Sequence, residues 1–327
     1  MSRRAGAYGP DALVTEAASA TPGVEVWRGG VNAWECDHMG HMNVRFYVAR
    51  AIEGLAGFAA ELGLSAAFSR RAASTFLVKD QHIRFLREAA APAALHMTAG
   101  VLEVTDTEVR VLQLLVHSMS GELAAAFQTV VAHVTVNERR PFPWSARSRD
   151  VLEALRVEVP PRAQPRRLSL TEGAGDGSIE TANSLGLIRI ANGTVGFQDC
   201  DVFGRMRPEV FVGRVSDGVP ALRSQLYADA ADEAGDKRIG GAVLEYRIAY
   251  LGWPEAGSRL DVRSGLADVD DTTQRLVHWI LDPATGRPWG SVTAVVADFD
   301  LDARTIVPLS AQRRSRLEGQ VVPGLRF

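Results

Sequence analysis

The sequence predicts an α+β fold built twice in succession, and three observations carry that reading. The first is an ungapped match of residues 31–55, VNAWECDHMGHMNVRFYVARAIEGL, to residues 195–219, VGFQDCDVFGRMRPEVFVGRVSDGV. Val31, Cys36, Asp37, Gly40, Met42, Val48, Arg50 and Gly54 recur as Val195, Cys200, Asp201, Gly204, Met206, Val212, Arg214 and Gly218. The second is that the register persists at an offset of 165: Leu95, Gly100, Val104, Asp106 and Thr107 meet Leu260, Gly265, Val269, Asp271 and Thr272. Chance does not hold one register over such a length, so the chain is a tandem repeat. The third is the order of elements within each repeat: one long helical stretch, then a run of strands, the pattern of an α+β unit.

Each element has its own justification. A strand opens each half and is expected to run on close to Asp37 or Asp201, since Val24–Trp27 and Val31–Trp34 both read as extended. Helices follow over 43–62 and 207–228. The first carries Phe46, Tyr47, Ile52, Leu55, Phe58, Ala59 and Leu62. That is too apolar for a surface helix with one narrow stripe, and suits a helix wrapped by a curved antiparallel sheet. Four extended segments come next, 74–87, 94–105, 108–119 and 123–137, matched by 240–252, 258–269, 273–282 and 288–301. β-Branched and aromatic residues fill them, and Gly, Asp and Pro separate them. TDTE at 105–108 and DDTT at 270–273 read as equivalent hairpin turns. Short helices over 145–155 and 310–319 close the halves. The domains are therefore a flexible leader 1–23, repeat one 24–156, a linker 157–185 and repeat two 186–327. Within the linker, EVPPRAQPRRLSLTEGAGDG is rich in Pro, Arg and Gly and reads as an exposed connector. The halves are expected to pair about a pseudo-twofold axis, as subunits of a dimer do.

Composition excludes several function classes. The net charge of −3 gives no electrostatic footprint for nucleic acid or an anionic membrane surface. No run approaches a membrane-spanning length, and the leader has no continuous apolar core of the kind a signal peptide needs. Two cysteines, Cys36 and Cys200, are too few for a disulfide framework and fit a reducing cytoplasm. They read as small packing residues. His82 has no partner at metal-ligand spacing, so no metal or other cofactor is expected.

Chemistry concentrates in WECDHMGHMN, residues 34–43, a strand-to-helix turn. Such a turn sets a carboxylate beside the free N–H groups of a helix N-terminus. A carboxylate activates water or attacks a carbonyl, and an N-terminal N–H stabilises the oxyanion that forms. Several residues have two readings. Asp37 either acts chemically or accepts turn N–H bonds. Asn43 is either an N-cap or a holder of water. His41 is either a loop strut or a substrate contact. Glu53, matched by Asp217, is either a second carboxylate at the seam between halves or an ion-paired helix residue. Phe46, Tyr47, Phe58, Phe76 and Trp34 either line an acyl pocket or form core.

ECDHMGHMNVRFYVARAIEG resembles the signature of hotdog-fold acyl-CoA thioesterases of the 4-hydroxybenzoyl-CoA thioesterase type. In that signature an acid pair brackets one residue, Gly-His follows, and a long helix opens. The resemblance extends over both halves and implies a double hotdog in one chain, each repeat a long central helix wrapped by an antiparallel sheet. It implies an acyl-CoA substrate and hydrolysis to free acid and CoA. It places the catalytic carboxylate at Asp37, the oxyanion N–H near Val44, and supporting roles at His41 and Asn43. By the same resemblance, outer sheet faces of two such chains stack into a homodimer. DCDVFGRMRPEVF in the second half is the same motif degraded. Asp201 is kept, but His41, Asn43 and Val44 become Arg205, Arg207 and Pro208. Proline has no N–H to offer an oxyanion. Arg205 and Arg207 either bind an anion or are solvated surface charge. Acyl-ACP thioesterases are also double hotdogs, with catalytic residues in the second half; here the intact motif is in the first. A non-catalytic acyl-CoA-binding protein is the third reading.

Overall fold

The computed structural model describes residues 21–173, 177–226 and 238–326. Most of the leader and the last two residues of the expected second long helix lie outside them. The first half runs β1 (Val24–Gly30), α1 (Val44–Glu61), β2 (Ser74–Phe85), β3 (Ala94–Val104), β4 (Glu108–His117), β5 (Leu123–Thr135) and α2 (Ala146–Ala154). A short α3 (Ile179–Ser184) precedes the second half, which repeats the order as β6 (Ile188–Thr194), α4 (Pro208–Leu226), β7 (Ile239–Tyr250), β8 (Arg259–Val269), β9 (Thr273–Leu281), β10 (Pro288–Asp300), β11 (Thr305–Val307) and α5 (Ala311–Glu318). The strands form one sheet in the order β1-β3-β4-β5-β2-β7-β10-β9-β8-β6, with β11 paired to β10. All ladders are antiparallel. This is the double hotdog the sequence predicts.

The halves join through β2 and β7, where Gln81 faces Ile248, His82 faces Arg247 and Ile83 faces Tyr246. Under the 165-residue offset, His82 faces its own counterpart, so the pseudo-twofold axis passes through that pair. One hydrophobic core spans both halves, with Val48, Leu55 and Phe58 of α1 and Phe211, Val212 and Val215 of α4 buried against the inner face. Close approach of helix and sheet depends on glycine. A Cβ on Gly57 would stand 2.1 Å from the Val26 carbonyl oxygen, which no side chain tolerates.

Buried polar side chains hold the long helix to the sheet. Gln113 donates to the Ala51 carbonyl of α1 at 2.7 Å, and its amide oxygen accepts from Thr129. Its repeat counterpart, His278, is buried and bonded to Ser264 at 2.7 Å. Burial pushes the His278 pKa from 6.5 down to about 4. Between those values the unfolded chain takes up a proton that the fold refuses. Stability is thus expected to be full above about pH 6.5 and to fall as pH drops toward 4, by up to ~3 kcal/mol. His278→Gln should remove that part of the acid sensitivity in denaturation midpoints compared at pH 7 and pH 5. An unchanged difference would rule it out.

Three expectations need correction. The opening strands do not reach the acids. They stop at Gly30 and Thr194, and single 3-10 turns, Ala33–Glu35 and Phe197–Asp199, intervene. In the first, Glu35 caps the Asn32 N–H, a local capping box that overrides the extended tendency of the neighbouring residues. Trp34 on that turn is 77% exposed and is not core, whereas Tyr47, Phe58 and Phe76 are.

The connector is exposed along most of its length but is not free. The Arg166 and Arg167 amides donate to the buried Glu245 carboxylate, which also pairs with His82 at 2.7 Å. Arg84 and Arg247 grip its carbonyls at Gln164, Ser169 and Glu172. Its Ala163, Val157 and Val159 cover apolar residues Leu112, Leu114 and Val116 on the outer face. Ile179, Leu185, Val322 and Leu325 do the same over Val277, Trp279 and Leu281. The chain thus covers apolar residues on the outer face of both half-sheets by itself.

Candidate active site

Each acid-bearing turn is folded by its own backbone. The Asp37 amide donates to the His41 carbonyl at 2.8 Å and the Asn43 amide donates to the Glu35 carbonyl at 2.8 Å. Cys36 bridges Met42 between them. Glu35 therefore stands opposite Asn43 and Asp37 opposite His41, which brings the second acid and the start of α1 into one small turn. Gly40, at φ +82°, supplies the left-handed residue that closes it. The second half copies this: Asp201 to Arg205, Arg207 to Asp199, and Gly204 at φ +80°.

The two acids of each pair have different tasks. Glu35 is buried and forms an ion pair with Arg50 of α1. Asp199 does the same with Arg214 of α4 at 2.8 Å. The first acid is a strut that pins the turn to its helix. The signal was in the sequence, since both the acid and the arginine fifteen residues on recur in both halves. The second acid differs between halves. Asp37 accepts from the Met39 amide at 2.8 Å and the His41 amide at 3.4 Å through Oδ1 alone. Among the described residues its Oδ2 has no partner and no arginine pairs with it. Asp201 accepts the corresponding amides through Oδ1, while its Oδ2 is taken by Arg205, at 2.9 Å to Nε and 2.7 Å to Nη2.

Arg205 is not solvated surface charge. It is 5% exposed, held by Asp201, and its guanidinium lies over the Phe203 and Trp253 rings at 4.8 and 5.8 Å. Trp253 in turn stacks on Tyr250 and packs edge-on against Phe211. The second turn is thus filled by its own arginine. Arg207 pairs with Glu209 at 3.0 Å and donates to the Gln198 carbonyl. Pro208 is the first residue of α4, the position where a missing N–H costs the helix nothing.

At the start of α1, Asn43 is the N-cap: its side chain accepts from the Arg45 amide at 3.0 Å. Its Nδ2 donates across the seam to Ser216 of α4 at 3.2 Å, so the cap also locks the two halves together. The Phe46 amide is satisfied by the Asn43 carbonyl. The Val44 N–H, next to the cap, has no acceptor among the described residues, in keeping with the unsatisfied donors of a helix N-terminus. His41 meets Arg304 of the second half at 3.0 Å and Glu88 at 3.4 Å. Glu53 is exposed and paired with Arg50 at 2.8 Å, so it is the ion-paired helix residue and not a buried carboxylate.

Sequence reading missed three neighbours. Arg304 and Glu88 reach the turn from elements distant in sequence. Tyr47, taken only as pocket wall or core, accepts from the Ala89 amide through its hydroxyl at 3.2 Å. Burial, with the Asp37 charge adding to it, pushes its pKa up to about 12, which keeps a neutral O–H beside the acid. Its counterpart is Phe211, without the hydroxyl. A cavity of about 350 Å³ lies elsewhere, on the outer face between Arg167, Asp268, Asp270, Thr273, Arg275 and Val295. Arg167 there is already paired with Asp270. At the Asp37 turn, among the described residues, a carboxylate oxygen without a partner and a helix N–H without an acceptor occur together. No helix among the described residues is long and apolar enough to cross a membrane.

A family model described as the thioesterase-like superfamily matches residues 31–155 and again 195–317. No curated protein matches the sequence. Among solved structures, an acyl-ACP thioesterase from Bacteroides thetaiotaomicron superposes with a TM-score of 0.59 at 14% identity, covering 83% of this chain and 96% of its own. A putative oleoyl thioesterase from Lactobacillus plantarum gives 0.62 at 13% identity, covering 85% and 97%. A 12:0-ACP thioesterase from Umbellularia californica gives 0.60 at 10% identity, covering 83% and 93%. At such identities the likeness is one of fold.

Proposed function

Because the chain belongs to the thioesterase-like superfamily in both of its halves, we propose that it hydrolyses an acyl-CoA thioester to the free acid and CoA, in the manner of 4-hydroxybenzoyl-CoA thioesterases. The observation that carries this reading is the contrast between the two acids. Among the described residues Asp37 keeps an oxygen without a partner, whereas Asp201 is closed by Arg205. Asp37 acts as general base on water, or as nucleophile, at the thioester carbonyl. The N–H of Val44 stabilises the oxyanion, helped by the positive end of the α1 dipole. Water adds to the carbonyl carbon, the C–S bond breaks, and the proton that Asp37 removed returns to the departing thiolate. Asn43 fixes the first turn of α1, and with it the direction of the Val44 N–H. The second half contributes a wall and a latch, not a second centre.

Acyl-ACP hydrolysis is a second reading, favoured by the whole-chain fold likeness to enzymes of that description. One assay separates the two: release of free thiol from a panel of acyl-CoAs, and from the best acyl group carried on ACP. Saturable release with higher kcat/KM on the CoA ester is expected. Preference for the ACP ester would replace the carrier assignment. Tight binding of every acyl-CoA without release would make the protein a binder and overturn the hydrolase reading.

A further inference from the structure

Arg304 belongs to the second half but is spent on the first half's turn. It sits in the loop between β10 and β11, in the left-handed region at φ +58°. Its amide is tied to the Asp300 carbonyl, and the Asp300 carboxylate holds the amides of Asp302 and Ala303. The repeat counterpart, Arg139, has φ +54° and also crosses to the opposite half, pairing with Glu255 at 3.0 Å. The same reach therefore occurs twice, once over each turn. At the intact turn it meets a histidine.

An arginine has hydrogen-bond donors only. Arg304 Nη2 lies 3.0 Å from His41 Nε2 in hydrogen-bonding geometry, while the Glu88 carboxylate stands 3.4 Å from the same nitrogen as an ion-pair contact without a hydrogen bond; the bonded partner donates, so that nitrogen accepts. A neutral imidazole with Nε2 as acceptor carries its proton on Nδ1. The charged groups facing the ring are Arg304 and Glu88, themselves ion-paired, and Asp37 on the same turn. Burial and the Arg304 charge push His41 below its ordinary pKa, against the pull of Asp37.

We propose that Arg304 is a positioning residue that fixes His41 as the neutral Nδ1–H tautomer, so that His41 serves the Asp37 site as a hydrogen-bond donor and has no lone pair left to act as a base. Glu88 holds the Arg304 guanidinium in place. The duplicated half, its own turn closed by Arg205, thus completes the remaining turn. The tautomer assignment stands on geometry alone. Its catalytic meaning, a donor to the bound acyl group or the departing thiolate, rests on the thioesterase reading.

Nitrogen–proton NMR correlations of histidine rings in the full chain test this, with the His41 signals identified by their loss in His41→Asn. The wild type is expected to show the Nδ1–H tautomer, Arg304→Ala a shift to Nε2–H with a raised His41 pKa, and Arg304→Lys the wild-type pattern, because an ammonium also donates. Steady-state kinetics should show a roughly tenfold or larger fall in kcat for Arg304→Ala with little change in KM, and recovery in Arg304→Lys. An Nε2–H tautomer in the wild type, or one unaffected by Arg304→Ala, would overturn the inference. The expected tautomers in a protein that releases no thiol would instead refute the thioesterase reading and leave the assignment of Arg304 intact.

Discussion

Asp37→Asn is expected to lower kcat for thioester hydrolysis by about 10²–10⁴-fold, the usual contribution of a positioned general base, while leaving the melting temperature nearly unchanged. The amide keeps the shape of the carboxyl group, and its oxygen still accepts the Met39 and His41 amides that close the turn. What it loses is the unpaired anionic oxygen. Asp201→Asn should do the reverse. Its Oδ2 pairs with Arg205, which is almost wholly buried, and stranding a buried guanidinium costs ~3 kcal/mol. The melting temperature should therefore fall while kcat holds. Two assays on two variants give a crossed pattern that neither a uniformly structural nor a uniformly catalytic role produces. Comparable rate losses in both variants would refute the asymmetry between the halves.

The second large effect is expected at the strut. Glu35→Ala removes the partner of Arg50 and the acceptor of the Asn32 amide together. Arg50 would then be left over the Trp27 ring with only the exposed Glu53 beside it. A loss of ~3 kcal/mol in unfolding free energy follows from breaking an ion pair this buried. Activity should drop as well, since the turn that Glu35 pins to α1 is the one that carries Asp37 two residues later. Chemical denaturation of Glu35→Ala, Arg50→Ala and the double variant measures the coupling, expected at ~1–3 kcal/mol. Additive losses, with no coupling, would show that the strut is not what holds the turn.

The same comparison explains why the two acids of each pair cannot be exchanged. The first faces its own helix and is consumed by an arginine in both halves. The second is held by the amides of its own turn, and the two halves differ at the residue four positions on: His41 leaves Asp37 open, and Arg205 closes Asp201.

Much of this was legible without coordinates. The repeat and its offset follow from residue identities, and helix and strand positions follow from periodicity and turn chemistry, which are local. The N-cap at Asn43 and the proline opening α4 are equally local, because each depends on backbone groups within a few residues. The inequality of the halves could be read from Arg205, Arg207 and Pro208. What sequence alone could not decide was where long side chains end. Arg205 reads as surface charge until Phe203 and Trp253 are seen to enclose it. Glu53 reads either as a seam carboxylate or as an ion-paired helix residue until Arg50 is seen to claim it. The connector reads only as exposed until Glu245 is seen to gather its amides. Arg304 stands 263 residues from the histidine it holds, and no local pattern encodes a contact set by the pairing of β2 with β7. Backbone form is fixed by neighbours along the chain. The partner of a charged group is fixed by whatever folding brings within hydrogen-bond reach: for Arg205 and Glu53 that lay within one half, and for Arg304 it was decided by the junction of the two.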